Sequence, residues 1–288
     1  MLAGRSRDIR QLREQVRHLA ATRAPVLLEG EPGTGKSVVA RALHYGGPRR
    51  ERRFERVDCG ALPEAAQAEE LFGAAGTPGV LERAAGGSLL VHGIERASPG
   101  VQLRLLHFLQ EPTNVRLIAA CDLNLGAEVR AGRFRDDLYH LLAATRVQLP
   151  PLRSRREDLP ALVDELVRAA NRAHGRRVPG VTAGVLERFA RHDWPGNVAE
   201  LKATLEQMVA SARGRRPLDL ESLPEPLRGA GEPGNQVELS VGMTLASAER
   251  RLVEATLAYT QGDKRRAAAL LGIGLRTLYR RLDEWERR

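Results

Sequence analysis

Residues 25–45 read PVLLEGEPGTGKSVVARALHY, and the fold turns on this stretch. The apolar run at 25–29 is a buried-strand candidate, and SVVARALHY has the apolar spacing of a helix. Between them lies Gly30-Glu31-Pro32-Gly33-Thr34-Gly35-Lys36-Ser37. Gly30, Gly35, Lys36 and Ser37 satisfy G-x-x-x-x-G-K-[ST], in the strand–loop–helix context that gives the spacing meaning. The glycines let backbone N–H groups close around phosphate oxygens, and the helix N-terminus adds its dipole. Lys36 is placed to reach terminal phosphates and Ser37 to ligate magnesium, so ATP and magnesium are the expected cofactors at residues 30–37. All but three of the 45 basic residues are arginine, so a lysine at this position favours a compact ammonium over generic charge.

Outward from the loop, strand candidates lie at 54–57, 88–91, 115–120 and 146–149, separated by helical or irregular segments. A charged helix at 7–20 carries Ile9, Leu12, Val16 and Leu19 in one stripe. This alternation predicts an α/β fold with a parallel, helix-covered sheet. After Leu149-Pro-Pro-Leu152 the pattern is wholly helical, over about 157–174, 182–192 and 197–212. Glycine and polar residues without period then mark a flexible linker. The expected units are an α/β nucleotide-binding subdomain at 1–154, a helical lid at 155–228, a linker at 229–241 and a small all-α domain at 242–288.

With 288 residues, 42% of them hydrophobic, the chain is long enough for two compact units. The net charge of +9 points towards polyanions, though a genomic arginine bias gives the same number. Two cysteines, Cys59 and Cys121, supply neither a disulfide framework nor a metal-ligand spacing. The charged start, MLAGRSRDIRQLREQ, has no apolar core, and no stretch approaches the roughly 18 apolar residues of a membrane span. A cytoplasmic location and no membrane partner are expected. Almost nothing precedes the first domain, so an attached sensing domain is not expected.

At the C-terminus, residues 244–260 carry Leu245, Leu252, Val253 and Leu257 in an apolar stripe. A short helix from Lys264 to Leu271 offers Ala267, Ala268, Leu270 and Leu271 for packing. Gly272-Ile-Gly274 turns into a last helix with Leu278, Leu282 and Trp285 facing inwards. This is helix-turn-helix geometry.

Five N-terminal features resemble the AAA+ domain of sigma-54-dependent transcriptional activators, the bacterial enhancer-binding proteins. They are the phosphate loop, VDCGAL at 57–62, ELFG at 70–73, GRFRDDLYHLL at 132–142 with LPPLRSRREDL at 149–159, and WPGNVAEL at 194–201. GDKRRAAALLGIGLRTLYRRL at 262–282 resembles the Fis-type DNA-binding module that ends many of them. The resemblance implies an AAA+ P-loop sheet with a helical lid, ring assembly, ATP hydrolysis between subunits and contact with sigma-54. For the C-terminal module it implies a dimer on double-stranded DNA. Arg276, Thr277, Arg280 and Arg281 would lie early on the groove-entering helix, with Lys264 and Arg265 near phosphates.

Several positions depart from the family. No GAFTGA loop follows ELFG, and the second pore-facing insertion is missing between Glu111 and Val115. The acidic pair of the Walker B strand falls on His92 and Gly93, neither of which offers the hard anionic oxygen that magnesium and the attacking water require. If the strand ran on, its two-residue period would bring Glu95 to Gly93's face, a candidate rescue of hydrolysis. Arg135 matches one arginine finger, while the second falls on Leu141. Ala199 replaces the lid's sensing arginine, and Asp122 stands where the first sensor is usually asparagine. The expected protein is therefore a DNA-binding transcriptional regulator with an AAA+ domain deficient in hydrolysis and sigma-54 remodelling. RNA polymerase or an active paralogue are further expected partners. The alternatives are a working ATPase at sigma-54 promoters and a pseudo-subunit in a mixed ring with an active relative.

Overall fold

The computed structural model describes residues 3–286, apart from 75, 123, 213, 229–242 and 261. The expected linker at 229–241 thus lies outside the described residues. The chain divides into two compact units, 1–224 and 225–288, so residues 225–228 group with the C-terminal unit.

In the first unit the order is α1 (Arg7–Ala20), β1 (Val26–Glu29), α2 (Lys36–Tyr45), β2 (Phe54–Asp58), α3 (Glu64–Phe72), β3 (Gly73–Ala74), β4 (Thr77–Pro78) and α4 (Val80–Arg83). There follow β5 (Ser88–His92), α5 (Pro99–Gln110), β6 (Arg116–Cys121), α6 (Leu125–Arg130), α7 (Asp136–Ala143), β7 (Arg146–Gln148), α8 (Leu159–His174), α9 (Ala183–Arg191) and α10 (Asn197–Ser211). Five strands form one parallel sheet in the order β2-β5-β6-β1-β7. Its strands alternate between two apolar faces, as their two-residue period demands. Leu27, Leu89, Val91, Leu117 and Ala119 pack with Leu71, Val101, Leu105, Leu138 and Leu142 on one side. Val26, Leu28, Leu90, Ile118 and Ala120 pack with Ile9, Leu12, Val16, Val39 and Leu43 on the other. Each fully buried leucine or valine contributes about 1.5–3 kcal/mol relative to exposure.

The register aligns the C-terminal strand ends: Asp58 pairs with His92, His92 with Ala120, and Glu29 with Cys121. The residues following β1, β5 and β6 therefore converge on one edge of the sheet, the usual ligand side of such folds. β5 stops at His92. Gly93 turns left-handed at φ 64° and Ile94–Arg96 form a 3-10 turn, so the strand does not run on and Glu95 is not carried on it. After ELFG, Gly73–Ala74 pairs antiparallel with Thr77–Pro78 in a two-residue ribbon, where a long projecting loop would need more chain.

In the second unit the described helices are α11 (Glu225–Arg228), α12 (Leu245–Tyr259), α13 (Lys264–Leu271) and α14 (Leu275–Glu286). Val253, Ala267, Ala268 and Leu278 are buried, with Leu257, Leu271, Ile273, Leu282 and Trp285 against them. Asp263 caps α13 by accepting from the N–H groups of Arg265 and Arg266, and Gly272 ends it at φ 66°, as a left-handed C-cap requires. Three residues expected in the core are exposed instead: Leu245, Leu252 and Leu270. A three-helix module has one small interior, and a fourth layer to cover the outer faces of α12 and α13 is lacking among the described residues.

Candidate functional site

Lys36 opens α2 and is only 3% exposed. Its ammonium donates to the carbonyls of Gly30 at 2.6 Å and Glu31 at 2.9 Å. It also lies 2.5 Å from Asp122 Oδ1. That contact matches charge without aligning as a hydrogen bond, so Oδ1 is buried with no directed donor. Gly33 and Gly35 adopt φ of 78° and 109°, conformations open to glycine but strained for other residues. A β-carbon at Gly33 would also strike the Gly196 carbonyl. Thr34 is buried and donates to the Glu31 carbonyl, while Ser37 sits half-buried in the first turn of α2.

The lid grips this loop through residues that periodicity alone did not single out. Asn197, fully buried in a left-handed conformation at φ 52°, accepts from the Leu152 N–H at 2.8 Å and donates to the Pro32 carbonyl at 2.9 Å and to Glu31 Oε2 at 3.2 Å. Ala199, at the sensor position, meets the loop through its N–H on the Gly33 carbonyl. Arg153 forks onto Glu31 at 2.7 and 2.5 Å, and with Asn197 it pulls the Glu31 carboxyl down to about 2. Arg155 donates to the Thr34 carbonyl. Asp158, also fully buried, accepts from the N–H groups of Arg5 and Ser6 and from the Ser6 hydroxyl, tying the chain's start to the lid. The short polar residues of WPGN and the REDL run were the available signal.

Opposite the loop, His92 Nδ1 lies 3.4 Å from Asp58 Oδ2, and both line a shallow pocket with Gly60, Gly93, Arg96 and Asp122. Glu95 reaches this edge by the 3-10 turn. Its Oε1 is 3.4 Å from the Asp122 N–H, and its buried Oε2 has no hydrogen-bond partner. Arg135 is not poised as a free finger, because its guanidinium forks onto Asp137 at 3.0 and 2.7 Å. The loop therefore fits nucleotide phosphates. Magnesium fits less well: Ser37 is present, but no group of three or more acidic, histidine or cysteine side chains suited to a metal occurs among the described residues.

In the C-terminal unit, Lys264 and Arg265 are exposed at the start of α13, and the Lys264 ammonium lies 4.8 Å from the Tyr279 ring centroid. Arg276 and Arg280 are exposed on α14, with Thr277 half-buried beside them. Arg281 pairs with Glu249 on α12 at 3.0 Å, and Arg280 lies 3.8 Å from Glu284 on its own helix.

A P-loop α/β domain of the AAA+ kind with a helical lid, followed by a helix-turn-helix, is the class these two units define. Residues 2–148 match the sigma-54 interaction domain, 153–239 the AAA+ ATPase lid domain, and 244–285 the bacterial regulatory protein, Fis family. The chain belongs to the sigma-54 interaction domain family. It is 33% identical to the response regulator protein PilR of Pseudomonas aeruginosa and 34% identical to the transcriptional regulatory protein ZraR of Escherichia coli, across 98% of this chain and 68% of each relative. It spans 63% of the length of the C4-dicarboxylate transport transcriptional regulatory protein DctD of Rhizobium meliloti, at 33% identity over 98% of this chain. The crystal structure of NtrX from Brucella abortus in complex with ATP superposes with a TM-score of 0.77 at 27% identity, over 99% of this chain and 69% of that one. Among the described residues, no helix is long and apolar enough to cross a membrane.

Proposed function

We propose that this chain is a sequence-specific DNA-binding transcriptional regulator whose P-loop domain binds ATP or ADP but neither hydrolyses ATP nor remodels sigma-54. The observation that carries this reading is the end of β5, where His92 and a left-handed Gly93 stand in place of two carboxylates. Loss of a positioned base typically costs about 10²–10⁴ in rate, and loss of an arginine finger, here the second one that Leu141 replaces, about 10³–10⁵. The two-residue ribbon at 73–78 supports the loss of sigma-54 contact. Residues 30–37 would hold the phosphates, with Ser37 the one magnesium ligand retained from the motif. That a similar protein, NtrX, was crystallised with ATP and with ADP supports nucleotide binding.

On the DNA side, Lys264 and Arg265 would meet phosphates, and Arg276, Thr277 and Arg280 would enter a major groove. Leu245, Leu252 and Tyr259 recur every seven residues on α12 and are exposed, which supports self-association of this module on a palindromic site. A second reading, an active ATPase at sigma-54 promoters, is favoured by the nearness of Glu95 to Asp122. A pseudo-subunit in a mixed ring would need Arg135 to leave Asp137. Magnesium-dependent ATP turnover, measured at concentrations that drive assembly with Lys36→Ala as control, separates these. Turnover above the control restores the ATPase reading; turnover equal to the control leaves a regulator without an engine.

A further inference from the structure

We propose that Asp122 sets the ligand preference of the P-loop pocket, making it select a nucleoside diphosphate over the triphosphate. This rests on the reading that the loop binds nucleotide, and it names which nucleotide. In a P-loop the lysine contacts the terminal phosphoryl groups, while backbone N–H groups hold those nearer the ribose. Here the terminal position is already anionic. Asp122 Oδ1 sits 2.5 Å from the Lys36 ammonium, and the ammonium's other contacts are the Gly30 and Glu31 carbonyls. The adjoining Glu95 is 8% exposed, and its Oε2 has no hydrogen-bond partner.

A diphosphate seated among the loop amides extends as far as Lys36. One more phosphoryl group must enter the space where Asp122 and Glu95 converge, and like charges held close in a poorly hydrated site repel strongly. Of the nearby cations, Arg96 lines the pocket with Asp122, and three others are engaged elsewhere. Arg153 is committed to Glu31, Arg155 to the Thr34 carbonyl and Arg135 to Asp137, while Ala199 stands at the position of the lid's arginine. An asparagine at 122 would offer the same size and an N–H donor without the charge.

The test is calorimetric titration of the full chain with ADP and with β,γ-imido-ATP, each with magnesium and with EDTA, for the wild type, Asp122→Asn and Asp122→Ala. Circular dichroism melts check that each variant is folded. In the wild type the diphosphate binds more tightly by at least about tenfold, the ratio that 1.4 kcal/mol produces. Both variants bring the two nucleotides to within about threefold, by strengthening the triphosphate. A wild-type ratio near one overturns the proposal, as does a ratio unchanged by both substitutions. Triphosphate binding that is tighter in magnesium than in EDTA, and loses that advantage in Asp122→Asn, also overturns it, since the carboxylate would then be holding the cation. Absence of binding by either nucleotide to any of the three proteins sinks the nucleotide-binding reading itself.

Discussion

Replacing Asn197 with alanine should destabilise the first unit more than any single surface change in the lid. The side chain is fully buried, and three of its hydrogen bonds join Leu152, Pro32 and Glu31 across the lid and phosphate loop. Truncation strands the Leu152 N–H in the interior at a cost of about 1–3 kcal/mol, and the lost donors to Pro32 and Glu31 add about 1–2 kcal/mol. The backbone at φ 52° suits asparagine, and alanine there adds about 1 kcal/mol. The total is on the order of 3–6 kcal/mol. For a domain of this size it lowers the melting temperature by about 6–24 °C. Asn197→Gly removes the same bonds but tolerates the left-handed backbone, so it should recover about 1 kcal/mol of the loss. Urea unfolding of the three proteins, followed by circular dichroism, measures both quantities. An alanine variant within about 1 kcal/mol of wild type would refute the claim that these bonds hold lid and loop together. A glycine variant no more stable than alanine would refute the backbone contribution.

On DNA, Arg280→Ala should weaken operator binding by about 1–3 kcal/mol at unchanged thermal stability if that arginine reads a base. Arg281→Ala should lower the melting temperature of the C-terminal unit by breaking its pair with Glu249; mobility shifts and melts on the two variants distinguish the roles. The Glu31 carboxyl, held at about 2 against an ordinary 4.5 by Arg153 and Asn197, gives a stability contribution present above pH 4.5 and lost as pH falls towards 2. Because Glu31 is 37% exposed, solvent screening limits it to about 1 kcal/mol, and Arg153→Met should flatten that acid limb in a pH series of unfolding curves. Burial pushes the Cys59 thiol up to about 12, and Cys121 is equally enclosed. Ellman's reagent should therefore find no fast thiol at pH 8 in the native protein and two after denaturation.

Much of this architecture was legible in the chain because local patterns carried it. Strand and helix periods fell where the elements form, and the phosphate loop announced itself through glycine spacing and one rare lysine. His92 and Gly93 at the end of β5 were likewise visible in the order of residues. Other features depended on partners distant in sequence. A strand running on past His92 would have carried Glu95 on Gly93's face, whereas Gly93's left-handed turn brings its carboxylate to Asp122 by another path. Asn197 and Asp158 looked like ordinary polar residues near helix starts, yet Asn197 reaches Glu31 and Pro32 and Asp158 reaches Ser6, all more than 100 residues earlier in the chain. Arg281 and Arg280 looked equivalent, and their acidic partners differ: Glu249 from α12 for Arg281, Glu284 on the same helix for Arg280. Sequence by itself determined the elements of the sheet and the phosphate loop, since these are set by side-chain type and spacing. Only the tertiary structure decided which charges neutralise one another, because a parallel sheet gathers the ends of β1, β5 and β6 and leaves Lys36 facing Asp122.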